Sequence, residues 1–217
     1  FFFFFFFFLY SCIPLYNFSY TYDYITSSST SFVDSFADTK ESRYNPRMDP
    51  IIPVSSWRKG SQWVVLIRKH AEVVVEDETV FPVFRLHCKK RSLPEFWRAK
   101  PFPFDASKEH NCIPDEHYVQ TLLALKGLEG ELTRRSLTHS SWDPKSSRDP
   151  ERRGWHPVTY KLGDATPKLV RSIRSIDNIY YETEMRREWC SSKGKPSRCF
   201  LFARKFTRPA ALRLLNT

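Results

Sequence analysis

The chain has 217 residues, long enough for a sizeable core, and its 41% hydrophobic and 27% charged residues argue against a disordered polar chain. A net charge of +10 calls for anionic partners, yet the basic residues are interleaved with acids, as in Arg186-Arg187-Glu188-Trp189 and Asp149-Pro150-Glu151-Arg152-Arg153, which argues against a disordered nucleic-acid arm. Five cysteines, Cys12, Cys88, Cys112, Cys190 and Cys199, form no Cys-x-x-Cys pair, so neither a zinc ribbon nor a thioredoxin-type site is expected.

The apolar tract of Phe1 to Phe8 with Leu9 and Tyr10 falls short of the roughly 20 residues that span a bilayer. It has neither a basic n-region nor a small-residue cleavage site. It reads as a translated pyrimidine tract, a gene-model artefact, and residues 1–10 are set aside with the true start expected upstream. A short helix is expected near Phe18 to Ile25. Asn45-Pro46, Asp49-Pro50 and Ile52-Pro53 make 34–60 a long loop region. Gln62 to Arg68, a β-branched run after Gly60-Ser61, predicts a buried strand.

Two helices follow at 69–78 and 79–90, around Asp77 and Thr79, with Ala71, Val74, Val75, Phe81, Phe84 and Cys88 as apolar positions. Residues 94–105, rich in Pro and aromatics, read as a loop. Pro114 ahead of an acidic turn and Gly127 as a stop predict a helix over Asp115 to Lys126, with a stripe of Tyr118, Val119, Leu122 and Leu123. Residues 138–157 read as a charged loop. Thr166-Pro167 reads as an N-cap and first helical residue, opening a helix to about Ile176. Strands are expected at Ile179 to Thr183 and Cys199 to Phe206. Mixed elements without repeats predict one α/β domain.

The stretches SCIPLYNFSYTYDYI, RYNPRM, WRKGSQWVVLIRKHAEVVV, EHNCIPDEHYVQTLL, RRGWHPVTYK and CFLFARKF run from Ser11 to near the end of the chain. They resemble the plant branch of the core-2/I-branching β-1,6-N-acetylglucosaminyltransferase family. The resemblance implies the C-terminal portion of a Rossmann-like GT-A domain, a mixed sheet flanked by helices, with 11–217 as a partial catalytic domain. It implies a type II Golgi membrane enzyme whose anchor and donor half precede this chain. Such an enzyme moves a sugar, N-acetylglucosamine-like, from a UDP-sugar to a glycan or glycoprotein acceptor with inversion. It implies no cofactor, no metal and no nucleic-acid partner.

An inverting transfer needs a base to take the acceptor hydroxyl's proton. Glu116, in Pro114-Asp115-Glu116, lies where a helix start favours an ionised carboxylate, and the family's catalytic Glu stands in the same Pro-Asp-Glu context. Asp115 is the neighbouring candidate for positioning, and ordinary helix capping is the alternative for both. Without a metal, the leaving diphosphate needs Lys or Arg. Lys205, in Leu201-Phe202-Ala203-Arg204-Lys205-Phe206, matches the family's phosphate-contacting lysine. At the family's second basic position stands Val158, so Lys161, Arg153 or Arg152 are the substitutes.

Trp57, Trp63, Trp142 and Trp155 are available to stack on sugars, with core or loop packing the plainer role for each. His110, Cys112, Asp115, Glu116 and His117 fit no standard zinc spacing. Cys190 and Cys199 enclose the polar loop SSKGKPSR and can pair in an oxidising compartment, and Asn17-Phe18-Ser19 is a glycosylation sequon. Two other readings stay open: a non-catalytic remnant or carbohydrate-binding protein, and a basic nucleic-acid module resting on charge alone.

Overall fold

The computed structural model describes residues 11–38, 43–88, 111–142, 157–192 and 194–215. The Phe tract, the 94–105 loop, His110, Arg152, Arg153 and Trp155 lie outside them. Among the described residues helices and short strands are mixed, as an α/β chain requires. They form two compact units, one made of the residues up to Ser29 with Arg135–Tyr180 and the residues from Arg187 on, the other of Thr30–Arg134 with Tyr181–Arg186.

In the first unit, strand Phe202–Arg204 is the centre of a three-stranded sheet, antiparallel to Cys12–Pro14 and parallel to Thr138–Ser140. Ala203 pairs with both Ile13 and His139 and is fully buried, so the central position takes a small side chain. Ile13, Leu15, Ile173, Phe206, Ala210 and Ala211 make the core around it. Burying each of the larger ones contributes about 1.5–3 kcal/mol. Helix Pro167–Arg174 begins as the sequence predicts: Thr166 Oγ1 accepts the Leu169 N–H at 3.2 Å, with Pro167 at the first position. Helix Phe18–Thr26 is capped by Asn17, whose Oδ1 accepts the Tyr20 N–H at 2.9 Å. Arg135 is fully buried and donates to the Cys199 carbonyl at 2.5 Å and the Tyr24 hydroxyl at 2.9 Å. A buried guanidinium is tolerated only with such partners.

The second unit is built on Trp57, buried to 1% exposure. Its indole stacks on Phe84 at 5.5 Å and on His117 at 4.6 Å, and meets Tyr44 edge-on at 5.5 Å. Around it pack helices Arg68–Val75, Val80–His87 and Tyr118–Leu125. Two short ladders complete the unit: Ser31–Phe32 parallel to Leu132–Thr133, and Phe36–Ala37 antiparallel to Arg58–Lys59.

Several sequence expectations are corrected here. The 62–68 run is not a buried strand. Val65 makes one bridge to Phe32, and the helix begins at Arg68. The strand it meets is only two residues long, so a β-branched run finds no ladder to join. The 34–60 region is more ordered than a loop, holding two strands and the 3-10 turns Pro46–Met48 and Val54–Ser56. Val75 and Phe81, named among the apolar positions, are 84% and 52% exposed, and Val80, Val83 and Phe84 are the buried face. Asp77 sets that phase, its carboxylate accepting the N–H groups of Thr79, Val80 and Phe81 at 2.7–3.1 Å.

Cys190 is disulfide-bonded to Cys199, and Cys88 to Cys112. The second pair, 24 residues apart, has no spacing signature, and the sequence reading did not include it. Cys12 is the free thiol among the described residues, and burial pushes it up to about 11 against the opposing pull of Arg204. Peptide mapping without reductant is expected to recover both cross-links, with the partly buried Cys12 alkylated slowly in the folded protein. Ready alkylation of Cys88 or Cys190 in the native protein would contradict the pairing.

Candidate active site

Glu116 stands in a tightly clamped turn of the second unit. Pro114–Glu116 is a 3-10 turn that leads through His117 into helix Tyr118–Leu125, rather than the first turn of one continuous α-helix. Ile113 precedes it at φ 45° and ψ 69°, left-handed backbone that a β-branched residue adopts only under constraint. The constraint is visible. The Ile113 carbonyl accepts the Glu116 N–H at 3.0 Å and His117 Nδ1 at 3.0 Å. On the other side the Glu116 carbonyl accepts the Gly60 N–H at 2.9 Å.

Because a carbonyl only accepts, His117 Nδ1 carries a proton, and Nε2 faces the Asp38 carboxylate at 3.5 Å. Asp38 also takes the Trp57 indole N–H at 3.2 Å. Burial holds His117 below the usual imidazole range, and the bond to Ile113 and the Asp38 charge oppose that only in part. His117 is thus a buried brace under the turn, stacked on Trp57.

The Glu116 side chain is 26% exposed, and the Lys59 ammonium lies 3.9 Å from its Oε2. A half-open carboxylate on a braced turn has the form of a general base. Asp115 is exposed in the middle of the same turn and provides no side-chain cap. Cys112 is used in a disulfide, so the metal-like cluster around Glu116 loses its sulfur. Trp57 is core, Trp63 half-buried, and Trp142 54% exposed.

Lys205 belongs to the first unit. It follows the carboxyl end of the central strand, and the Arg204–Lys205 peptide is cis. In parallel sheets that edge is where ligands bind. The side chain is half-buried. The Lys205 carbonyl accepts the Tyr160 N–H at 2.8 Å, and the Tyr160 carbonyl accepts the Thr207 N–H at 2.9 Å. That exchange lays the segment bearing Lys161, which is exposed, beside Lys205. Two of the basic residues singled out therefore lie on chain segments joined by the Tyr160–Phe206 bridge, whereas Arg153 lies outside the described residues. Helix Arg208–Leu215 leaves from the same place.

One constellation imitates a catalytic relay without being one. Ser31 Oγ and His70 Nδ1 are 2.7 Å apart, and His70 Nε2 lies 3.3 Å from Glu131. Ser31 is fully buried and its Oγ also accepts the Ile67 N–H, so the relay ties elements together and offers no nucleophile. Among the described residues no three His, Cys, Asp or Glu gather as a metal site, and no helix is long and apolar enough to cross a membrane.

The described residues thus give a mixed α/β frame, with a braced carboxylate in one unit and, in the other, a lysine at the carboxyl end of a strand; the family match below makes this a GT-A-like glycosyltransferase fold. The chain belongs to the core-2/I-branching enzyme family, whose model matches residues 4–174, a span that includes Asp115, Glu116, Arg153 and Lys161. It is 76% identical over 208 residues to a rice protein, glycosyltransferase BC10 of Oryza sativa subsp. japonica, covering 95% of this chain. The chain spans about half, 52%, of that relative's length. No solved structure matches it.

Proposed function

We propose that the protein containing this chain is an inverting, metal-independent glycosyltransferase acting in the Golgi lumen, moving an N-acetylglucosamine-like sugar from a UDP-sugar to a glycan or glycoprotein. The observation that carries the reading is Glu116, a half-exposed carboxylate held by bonds to Ile113 and Gly60 within the family-matched span. In the proposed step the acceptor oxygen attacks the anomeric carbon as the bond to the diphosphate breaks. The hydroxyl proton passes to the Glu116 carboxylate, and the negative charge released on UDP is offset by Lys205, with Lys161 beside it. Asp115 has a positioning role at most. The two disulfides and an exposed Asn17 fit an oxidising lumen. Asn17 caps its helix through Oδ1, which leaves Nδ2 available for a glycan.

The test is sugar transfer by the full-length protein, measured as UDP release from UDP-N-acetylglucosamine and other UDP-sugars over a panel of glycan acceptors. Turnover is expected to persist in excess EDTA. Lys205→Met is expected to lose about 10²–10³-fold in kcat. Abolition by EDTA would overturn the metal-free mechanism, and a fully active Lys205→Met the diphosphate assignment.

A further inference from the structure

We infer that Lys59 is a positioning residue for Glu116, holding its carboxylate ionised and oriented through an ion pair that the fold keeps in register. The inference rests on Glu116 being the base. Strand alternation sends neighbouring side chains to opposite faces. Arg58 turns to Glu129, which it binds at 2.9 and 3.1 Å, and Lys59 turns to Glu116 at 3.9 Å.

Three bonds lock this strand to the helix that follows Glu116. The Gly60 N–H binds the Glu116 carbonyl at 2.9 Å. The Arg58 N–H binds Thr121 Oγ1 at 3.1 Å, and the Gln120 side chain donates to the Ser61 carbonyl at 2.8 Å. The lysine is thus delivered to the carboxylate by backbone geometry, where a surface lysine would be free to wander.

Asp115 stands on the same turn, and behind it lie the His117 ring and Asp38. Of the helices packed against Tyr118–Leu125, Arg68–Val75 carries Arg68 bonded to Glu72 and Lys69 bonded to Glu131, Val80–His87 carries Arg85 and His87, and in the link between them Asp77 accepts the Tyr118 hydroxyl at 2.9 Å. The charge of Lys59 also reaches His117, adding to the burial that lowers that ring's hold on a proton. The consequence is a base that stays ready to accept a proton at lower pH than it otherwise could, because a nearby ammonium penalises protonation of the carboxylate.

The experiment is the pH dependence of kcat/KM for full-length wild type, Lys59→Met, Lys59→Arg and Glu116→Gln. With both side chains partly exposed, Lys59→Met is expected to move the acid limb up by about half a pH unit. Lys59→Arg is expected to restore the wild-type limb. Raising the salt concentration is expected to move the wild-type limb upward while leaving that of Lys59→Met in place, since screening weakens only the pair that is present. A merely structural lysine would lower activity without moving the limb. An unshifted limb in Lys59→Met, with Glu116→Gln inactive, overturns the inference and leaves the base assignment standing. An active Glu116→Gln overturns the base assignment and this inference with it.

Discussion

Glu116→Gln is expected to reduce kcat by about 10²–10⁴-fold, the usual contribution of a positioned general base, while the protein stays folded. The amide keeps the size and shape of the carboxylate and removes only its capacity to take a proton. The turn does not depend on that side chain. Its bonds include those from the Glu116 N–H to the Ile113 carbonyl, from the Gly60 N–H to the Glu116 carbonyl and from His117 Nδ1 to the Ile113 carbonyl, through the main chain and the His117 ring. The ion pair with Lys59 is partly exposed, and such pairs contribute at most about 1 kcal/mol. Single-turnover kinetics beside a thermal melt separate the two effects. Normal turnover in a folded variant would place the base elsewhere.

Gly60→Ala is expected to be among the most damaging single methyl additions in this chain, costing on the order of 3–5 kcal/mol. A Cβ at Gly60 would stand 1.6 Å from the Asp34 carbonyl oxygen and 2.5 Å from its carbon. Both are backbone atoms, so no side chain can turn aside. Nor can the Asp34 segment retreat freely. Its carboxylate accepts the Ser61 N–H at 3.0 Å and the Tyr181 hydroxyl at 2.5 Å, and burial raises it above the usual carboxylate range. Moving Gly60 instead breaks its bond to the Glu116 carbonyl, so the same substitution loosens the base. Gly130→Ala, where an added methyl meets nothing within 4 Å, is the control and is expected to be nearly neutral. Denaturant midpoints of the two variants decide the matter, and equal midpoints would show that the close approach is relieved without cost.

Much of the helical framework was legible because its signals are local. Thr166-Pro167 caps and opens a helix through one side chain and one fixed φ, both readable in place. The helix from Phe18 was expected within a residue of its observed end. Strands were harder. The β-branched run at 62–68 carries the right composition, yet a strand exists only where a partner offers a ladder, and Phe32 offers a single bridge. The faces of the 68–87 helices slipped for a similar reason. The Asp77 cap and the Trp57 core set which residues turn inward, and Val75 and Phe81 were left outside.

The candidate site divides along the same line. Pro114-Asp115-Glu116 and Leu201 to Phe206 are contiguous, so their resemblance to family motifs singled out Glu116 and Lys205 without any coordinates. The brace under Glu116 is not contiguous. Gly60 and Lys59, Trp57, Asp38 and His117 come from segments up to about eighty residues apart, and no single stretch announces them. His117 stood out in the sequence only as a member of a metal-like cluster, while its stacked, bracing role depends on the distant Trp57 and Asp38. The Cys88–Cys112 bond likewise needs two distant chain segments to meet. What the sequence determined by itself was family and local helix starts, and it singled out Glu116 and Lys205 as candidates, because these reside in short runs of neighbouring residues. What the tertiary structure alone decided was which lysine meets Glu116, which glycine admits no side chain and that Cys88 joins Cys112, because each is a distance between chain segments that no local preference specifies.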